Sequence, residues 1–133
     1  MNLGTYIRSH MDKSFGYGTN DCVLFITNFW EPKSGKIYKV IKDRLGLDQS
    51  NWPASIDALN EVAKSKGFGG TTRMHLSLMK EIGFSRHTAK SDGDVIIDPK
   101  SGALGLRWRE MGAFVAPEGV CLVQDETKYG WRL

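Results

Sequence analysis

The stretch Gly16-Tyr17-Gly18-Thr19-Asn20-Asp21-Cys22 places a thiol where a glycine-rich turn meets an apolar run with helical spacing. A cysteine in the first turn of a helix sits beside unpaired N–H groups and the positive end of the dipole. That setting lowers the thiol pKa and favours the thiolate nucleophile. The glycines let a substrate approach the sulfur closely, because no β-carbon stands in the way. Asn20 and Asp21 suit the capping positions, and backbone N–H groups there are placed to line an oxyanion hole. The same cysteine falls on one stripe with Phe25, Ile26 and Phe29, and free cysteine is among the most buried residue types. The local pattern leaves Cys22 open between a nucleophile and a core residue.

A thiol nucleophile needs a base at hydrogen-bond distance. The chain has three histidines: His10 in the opening segment, His75 near the start of a helix, and His87 on a polar stretch before Gly93. His87 is the candidate base, although a surface position is the commoner setting for all three. Asp92, Asp94 and Asp98 invite a calcium reading but lack a Gly-bent loop with a bidentate Glu. No His/Asp/Glu set has metal spacing, so neither a metal nor a cofactor is expected. Cys22 and Cys121 make neither a disulfide framework nor a zinc set, although the two could pair in an oxidising compartment.

The elements that must hold Cys22 divide the chain into a helical first half and a stranded second half. Tyr6 to Met11 reads as a short opening helix. From Asp21 the positions Cys22, Phe25, Ile26, Phe29 and Trp30 recur at helical spacing until Pro32 and Gly35 stop the helix. A second stretch, Ile37 to Leu45, ends at Gly46. A third has Pro53 in its first turn, a buried stripe of Ile56, Leu59, Val62 and Ala63, and Gly67 as terminator. Met74 to Ile82, closed by Gly83, is shorter. Beyond Phe84 the period changes to two. Asp94 to Asp98 and Ala103 to Arg109 read as strands. Gly112 to Ala116 and Val120 to Gln124 form a hairpin about Pro117-Glu118-Gly119, and Trp131-Arg132-Leu133 adds a last edge strand. Helices followed by consecutive antiparallel strands predict an α+β domain over residues 1–133, its sheet packed on the helical half.

Composition narrows the function classes. A chain of 133 residues buries about two-thirds of its unfolded surface as one domain. Six Phe, four Trp and four Tyr are enough for a core without staples. The formal charge of +3 is small and its lysines and arginines are scattered, which argues against nucleic acid as a partner. The most apolar run, Cys22 to Trp30, is far short of a membrane span. Residues 1–14 lack the apolar segment of a signal peptide, so a soluble product starting in the cytosol is expected.

Three motifs in order carry a family resemblance. Tyr17-Gly18-Thr19-Asn20-Asp21-Cys22 resembles the aromatic, glycine, Asp-Cys opening of the catalytic helix in NlpC-type cysteine peptidases, which have a papain-like fold. Gly93-Asp94-Val95-Ile96-Ile97 is similar to that family's Gly-Asp-apolar strand, and Gly102 to Trp108 falls where its histidine strand follows. The spacing holds from about Phe15 to Val123. In the active enzymes that strand begins with the histidine base. Here the tetrad is Ala103-Leu104-Gly105-Leu106, and Ala103 cannot move a proton. The following strand offers no polar orienting residue, and Val23 replaces the usual serine after the cysteine.

More narrowly, the chain resembles a group of small phage and prophage proteins encoded among tail genes and without an assigned activity. The shared features here are Asp21-Cys22-Val23-Leu24-Phe25, Gly93-Asp94-Val95, Ala103-Leu104-Gly105 and Trp131-Arg132-Leu133. The resemblance implies a structural component of a phage tail at the tail tip or baseplate hub, with Cys22 as a vestigial nucleophile. Its partners would be other tail proteins (hub, distal tail and fibre components), and it would reside in the virion after synthesis in the host cytoplasm. The alternative it implies is an active cysteine hydrolase that cuts peptidoglycan, with His87 serving Cys22. A third is a binding protein that holds a peptide in the vestigial groove.

Overall fold

A computed structural model describes residues 2–133. The architecture is α+β: helices α1 (Leu3–His10), α2 (Cys22–Ser34), α3 (Ile37–Leu45), α4 (Ile56–Ser65) and α5 (Thr71–Ile82) precede the strands. These are β1 (Ser85–His87), β2 (Val95–Ile97), β3 (Leu104–Trp108), β4 (Met111–Ala116), β5 (Gly119–Gln124) and β6 (Gly130–Arg132). All pair antiparallel in the order β1-β6-β2-β3-β4-β5.

The core forms where α2 lies on β3. Phe25, Ile7, Val95, Leu104 and Leu106 are almost completely enclosed, and each contributes about 1.5–3 kcal/mol by leaving water. Trp30 ties α2 to the sheet entry, its Nε1–H donating to the Gly93 carbonyl at 3.0 Å. Gly105 lets β4 come close, because a β-carbon there would lie 2.6 Å from the Ala113 carbonyl and 2.7 Å from the Phe114 ring.

Several sequence expectations change. Pro32 does not stop α2 but lies inside it, and the helix ends at Gly35, which takes the left-handed conformation and caps Glu31 O. Proline's missing N–H and ring are tolerated here only two residues before the helix ends. Pro53 precedes α4 rather than opening it, since Ser55 is the N-cap and accepts from Ala58 N. Ile56, expected in the buried stripe, is 49 % exposed, because it opens the helix beside a surface depression. Trp131-Arg132-Leu133 does not supply an edge strand: β6 lies between β1 and β2. The unforeseen three-residue β1 covers it, too short and polar to register as a strand in the sequence.

The β3–β4 turn carries strain. Arg109 (φ 52°) and Glu110 (φ 65°) both adopt the left-handed conformation between the paired residues Trp108 and Met111. A two-residue hairpin needs that geometry to match strand twist, and it favours Asn-Gly. Arg109 has compensation: its N–H meets Asp92 Oδ1 at 3.0 Å and its guanidinium covers the Trp108 ring at 4.8 Å. Glu110 shows neither kind of contact. Replacing Glu110 by Gly should therefore raise stability by about 1 kcal/mol, read as a higher urea midpoint at constant slope. A lower midpoint would show that the turn is unstrained.

Candidate functional site

Asp21 organises the entry to α2. Its side chain is 2 % exposed, and Oδ1 accepts the Leu24 N–H at 2.9 Å as the N-cap. Oδ2 accepts the Gly18 N–H at 3.0 Å and the Trp52 Nε1–H at 2.8 Å. One carboxylate thus caps the helix, closes the glycine turn and anchors the loop before α4. Asn20 serves the same turn from the other side, donating through Nδ2 to the Lys13 and Ser14 carbonyls at 2.8 and 3.2 Å. Its side chain is therefore committed to the turn.

Cys22 is the first residue of α2, as its spacing implied, and both cysteines are free. The activated thiol expected from the helix terminus is not what results. Burial dominates and pushes the Cys22 thiol above its ordinary value. The Leu104 N–H draws it down, the Asp21 carboxylate raises it again, and the N–H groups of Cys22 and Val23 draw it down. The cap that starts the helix is itself negative, so it offsets the dipole beside the sulfur. A thiol shifted upward is protonated at neutral pH and is a poor nucleophile.

Cys22 lines a cavity of about 180 Å³ between the α2 entry, the loop around Trp52, α4, α5 and the turn before β3. Ala103 lines this cavity with Cys22. His87 does not. It lies on β1, its Nε2 within 3.0 Å of Ser85 Oγ. Between β1 and β3, where Leu104 meets the thiol, stand β6 and β2; three strand spacings amount to roughly 14 Å. His10 is held on α1, its Nδ1 2.8 Å from Tyr6 O and its ring against Tyr6 and Phe25.

His75 is the residue that sequence reasoning missed. Expected at the surface, it is 6 % exposed and lines the cavity that holds Cys22. The signal was present in α5, where Met74, His75, Leu78, Met79 and Ile82 form one apolar stripe containing the imidazole. Among the described residues neither ring nitrogen has a hydrogen-bond partner. Burial lowers its pKa to about 4, so the ring is neutral at physiological pH. Proton transfer from Cys22 to His75 is accordingly unfavourable. Burial raises the proton affinity of the Cys22 thiol and lowers that of the His75 imidazole, so both shifts oppose the transfer.

The acidic residues near Gly93 are committed elsewhere. Asp94, 1 % exposed, accepts from Ser91 N and from Arg132 Nη1 at 2.8 and 2.7 Å. Asp92 holds Arg109 N, and Asp98 caps the turn at Ser101. No cluster of three metal-ligating side chains occurs among the described residues, and none of their helices is long and apolar enough to cross a membrane.

The chain has no match. Family models, curated proteins and solved structures were compared in turn, and none corresponds to it.

Proposed function

We propose that this chain is a structural component of a phage tail, near the tail tip or baseplate hub, built on a degenerate papain-like, NlpC-type peptidase fold. It would be made in the host cytoplasm, reside in the virion and dock against other tail proteins. The tail assignment rests on the sequence motifs around Cys22, Asp94, Ala103 and Arg132. The observation that carries the loss of catalysis is Ala103 beside the Cys22 thiol, in a cavity whose burial keeps that thiol protonated. A hydrolase needs a base that accepts the thiol proton as the bond forms, and a methyl group at this position has no such capacity.

One observation favours the alternative, an active cysteine hydrolase acting on peptidoglycan: His75 shares the cavity with Cys22. Against it stand the low proton affinity of that imidazole and the raised thiol.

The two readings separate on one residue. Phage carrying Cys22→Ala should assemble tails and infect at the normal titre, and the purified protein should release no muropeptides. In a Cys121→Ser background, iodoacetamide at pH 7 should alkylate Cys22 markedly more slowly than a free thiol, because burial raises the thiol's pKa and the thiolate is the reactive form. Normal assembly with lost infectivity, together with rapid alkylation, would overturn the structural reading in favour of the hydrolase.

A further inference from the structure

The cavity beside Cys22 has a polar group for which the chain supplies no partner. Its deep wall is apolar, formed by Leu59, Met74 and Leu78, all buried, while Phe15 and Ile56 stand 39 % and 49 % exposed at its rim. His75 belongs to the deep wall at 6 % exposure, with no hydrogen bond among the described residues. The His75 nitrogens are not among the fully enclosed side-chain atoms left without a partner, which among the described residues are Thr27 Oγ1 and Arg107 Nε. They still reach solvent, and on a residue that lines the cavity their donor and acceptor are free to meet a group from outside the chain. We infer that this cavity binds one compact, neutral aromatic ring bearing a single hydrogen-bonding group, a phenol-type ligand, with the His75 imidazole as that group's partner.

Size, charge and lining each restrict the ligand. The cavity holds about 180 Å³, and an apolar cavity of ~150 Å³ admits a benzene ring. One substituted ring fits within it. A carboxylate is excluded, because the charge nearest the site is that of Asp21, and the neutral His75 ring supplies no counter-ion. A cation fares no better, since both Asp21 oxygens are occupied by Leu24, Gly18 and Trp52. An aromatic ring is preferred to an aliphatic one by the Trp52 and Tyr17 rings and the Met74 thioether in the lining, which favour edge and sulfur contacts with π-systems. A neutral imidazole has one donor and one acceptor nitrogen, so either can meet a phenolic hydroxyl.

The same chemistry has two sources: a free phenol, or a tyrosine side chain presented by another polypeptide. The inference holds whether or not the chain belongs to a phage tail, because it uses only the cavity and His75. Titration of the intact protein with p-cresol and with toluene, followed by calorimetry and by ¹⁵N-histidine NMR, tests it. p-Cresol should bind about tenfold more tightly than toluene, the worth of one buried hydrogen bond, and should move the His75 ring-nitrogen signals where toluene does not. In His75→Leu the tenfold preference should vanish while toluene binding persists, which also reports that the variant is folded. Should that variant fail to fold, the NMR response of the unaltered protein decides alone. Equal affinities, no saturable p-cresol binding, or unmoved His75 signals would overturn the inference. N-acetyltyrosinamide then distinguishes the sources: binding as tight as p-cresol's indicates a tyrosine side chain, and its exclusion indicates a free phenol.

Discussion

Replacing Arg132 by Met should cost about 3–5 kcal/mol of stability, the usual penalty for removing one partner of a buried ion pair. The two partners are not equivalent. The Asp94 side chain is 1 % exposed, whereas that of Arg132 is 26 % exposed and its guanidinium also donates to the Ala89 carbonyl. Removing the arginine strands a carboxylate away from water, with only the Ser91 N–H beside it. Removing the carboxylate leaves an arginine that still reaches solvent and Ala89. Asp94→Asn should therefore cost less than Arg132→Met, about 2 kcal/mol, near the worth of a charged hydrogen bond. The double variant should fall well short of the sum, because its second change removes a group already without its partner. Urea denaturation of the four proteins measures each term, and strictly additive losses would show that the pair is not coupled. Gly130 belongs to the same arrangement: a β-carbon there would collide with Asp94 Oδ2, so Gly130→Ala should also destabilise.

The second large effect is acid lability from His75. Its pKa is lowered from 6.5 to about 4 on folding because burial penalises the imidazolium. Between those values the unfolded chain binds the proton and the folded one does not, so stability falls as pH falls through this window. Below about pH 4 both states carry the proton and the loss levels off. The full step is roughly 3 kcal/mol. His75→Leu should remove that part of the pH dependence, whatever it does to stability at pH 7. Within the same cavity, the Cys22 and Tyr17 groups are both shifted upward and keep their protons throughout the window. Asp21 is common to both proteins and cancels in the comparison. Equal slopes between pH 6.5 and 4 in the two proteins would show that His75 is not protected from protonation.

The two strongest residue-level patterns were legible for different reasons. Cys22 was placed at a helix start by Asp21 before it and the 3.6-residue run after it, and both are local. The α3 bounds, Ile37–Leu45 with Gly46 beyond, and the β4–β5 hairpin about Pro117-Glu118 are equally local matters of periodicity and turn chemistry. Strand β1 was not legible, because three polar residues have no period. Its existence depends on pairing with Gly130–Arg132, more than forty positions along the chain.

Two of the sequence motifs gain a physical account only in three dimensions. Gly93-Asp94-Val95 and Trp131-Arg132-Leu133 looked like separate signatures, yet Asp94 and Arg132 are the two halves of one ion pair. Asp21 looked like a cap or part of an oxyanion site. It is the cap, but its negative charge and the burial of the sulfur together reverse the pKa shift that a helix N-terminus alone would produce.

The amino-acid sequence by itself determined where the helices and most strands lie and that a thiol opens α2. These follow from nearest-neighbour sterics, hydrogen bonding and apolar periodicity, which act over a few residues. Only the tertiary structure decided the state of that thiol and the identity of the imidazole near it. Burial is a property of the whole packing arrangement, and it sets the charge state of both Cys22 and His75. The entry of α2, α5 and the turn before β3 meet only around the cavity they line, through contacts between segments far apart in sequence.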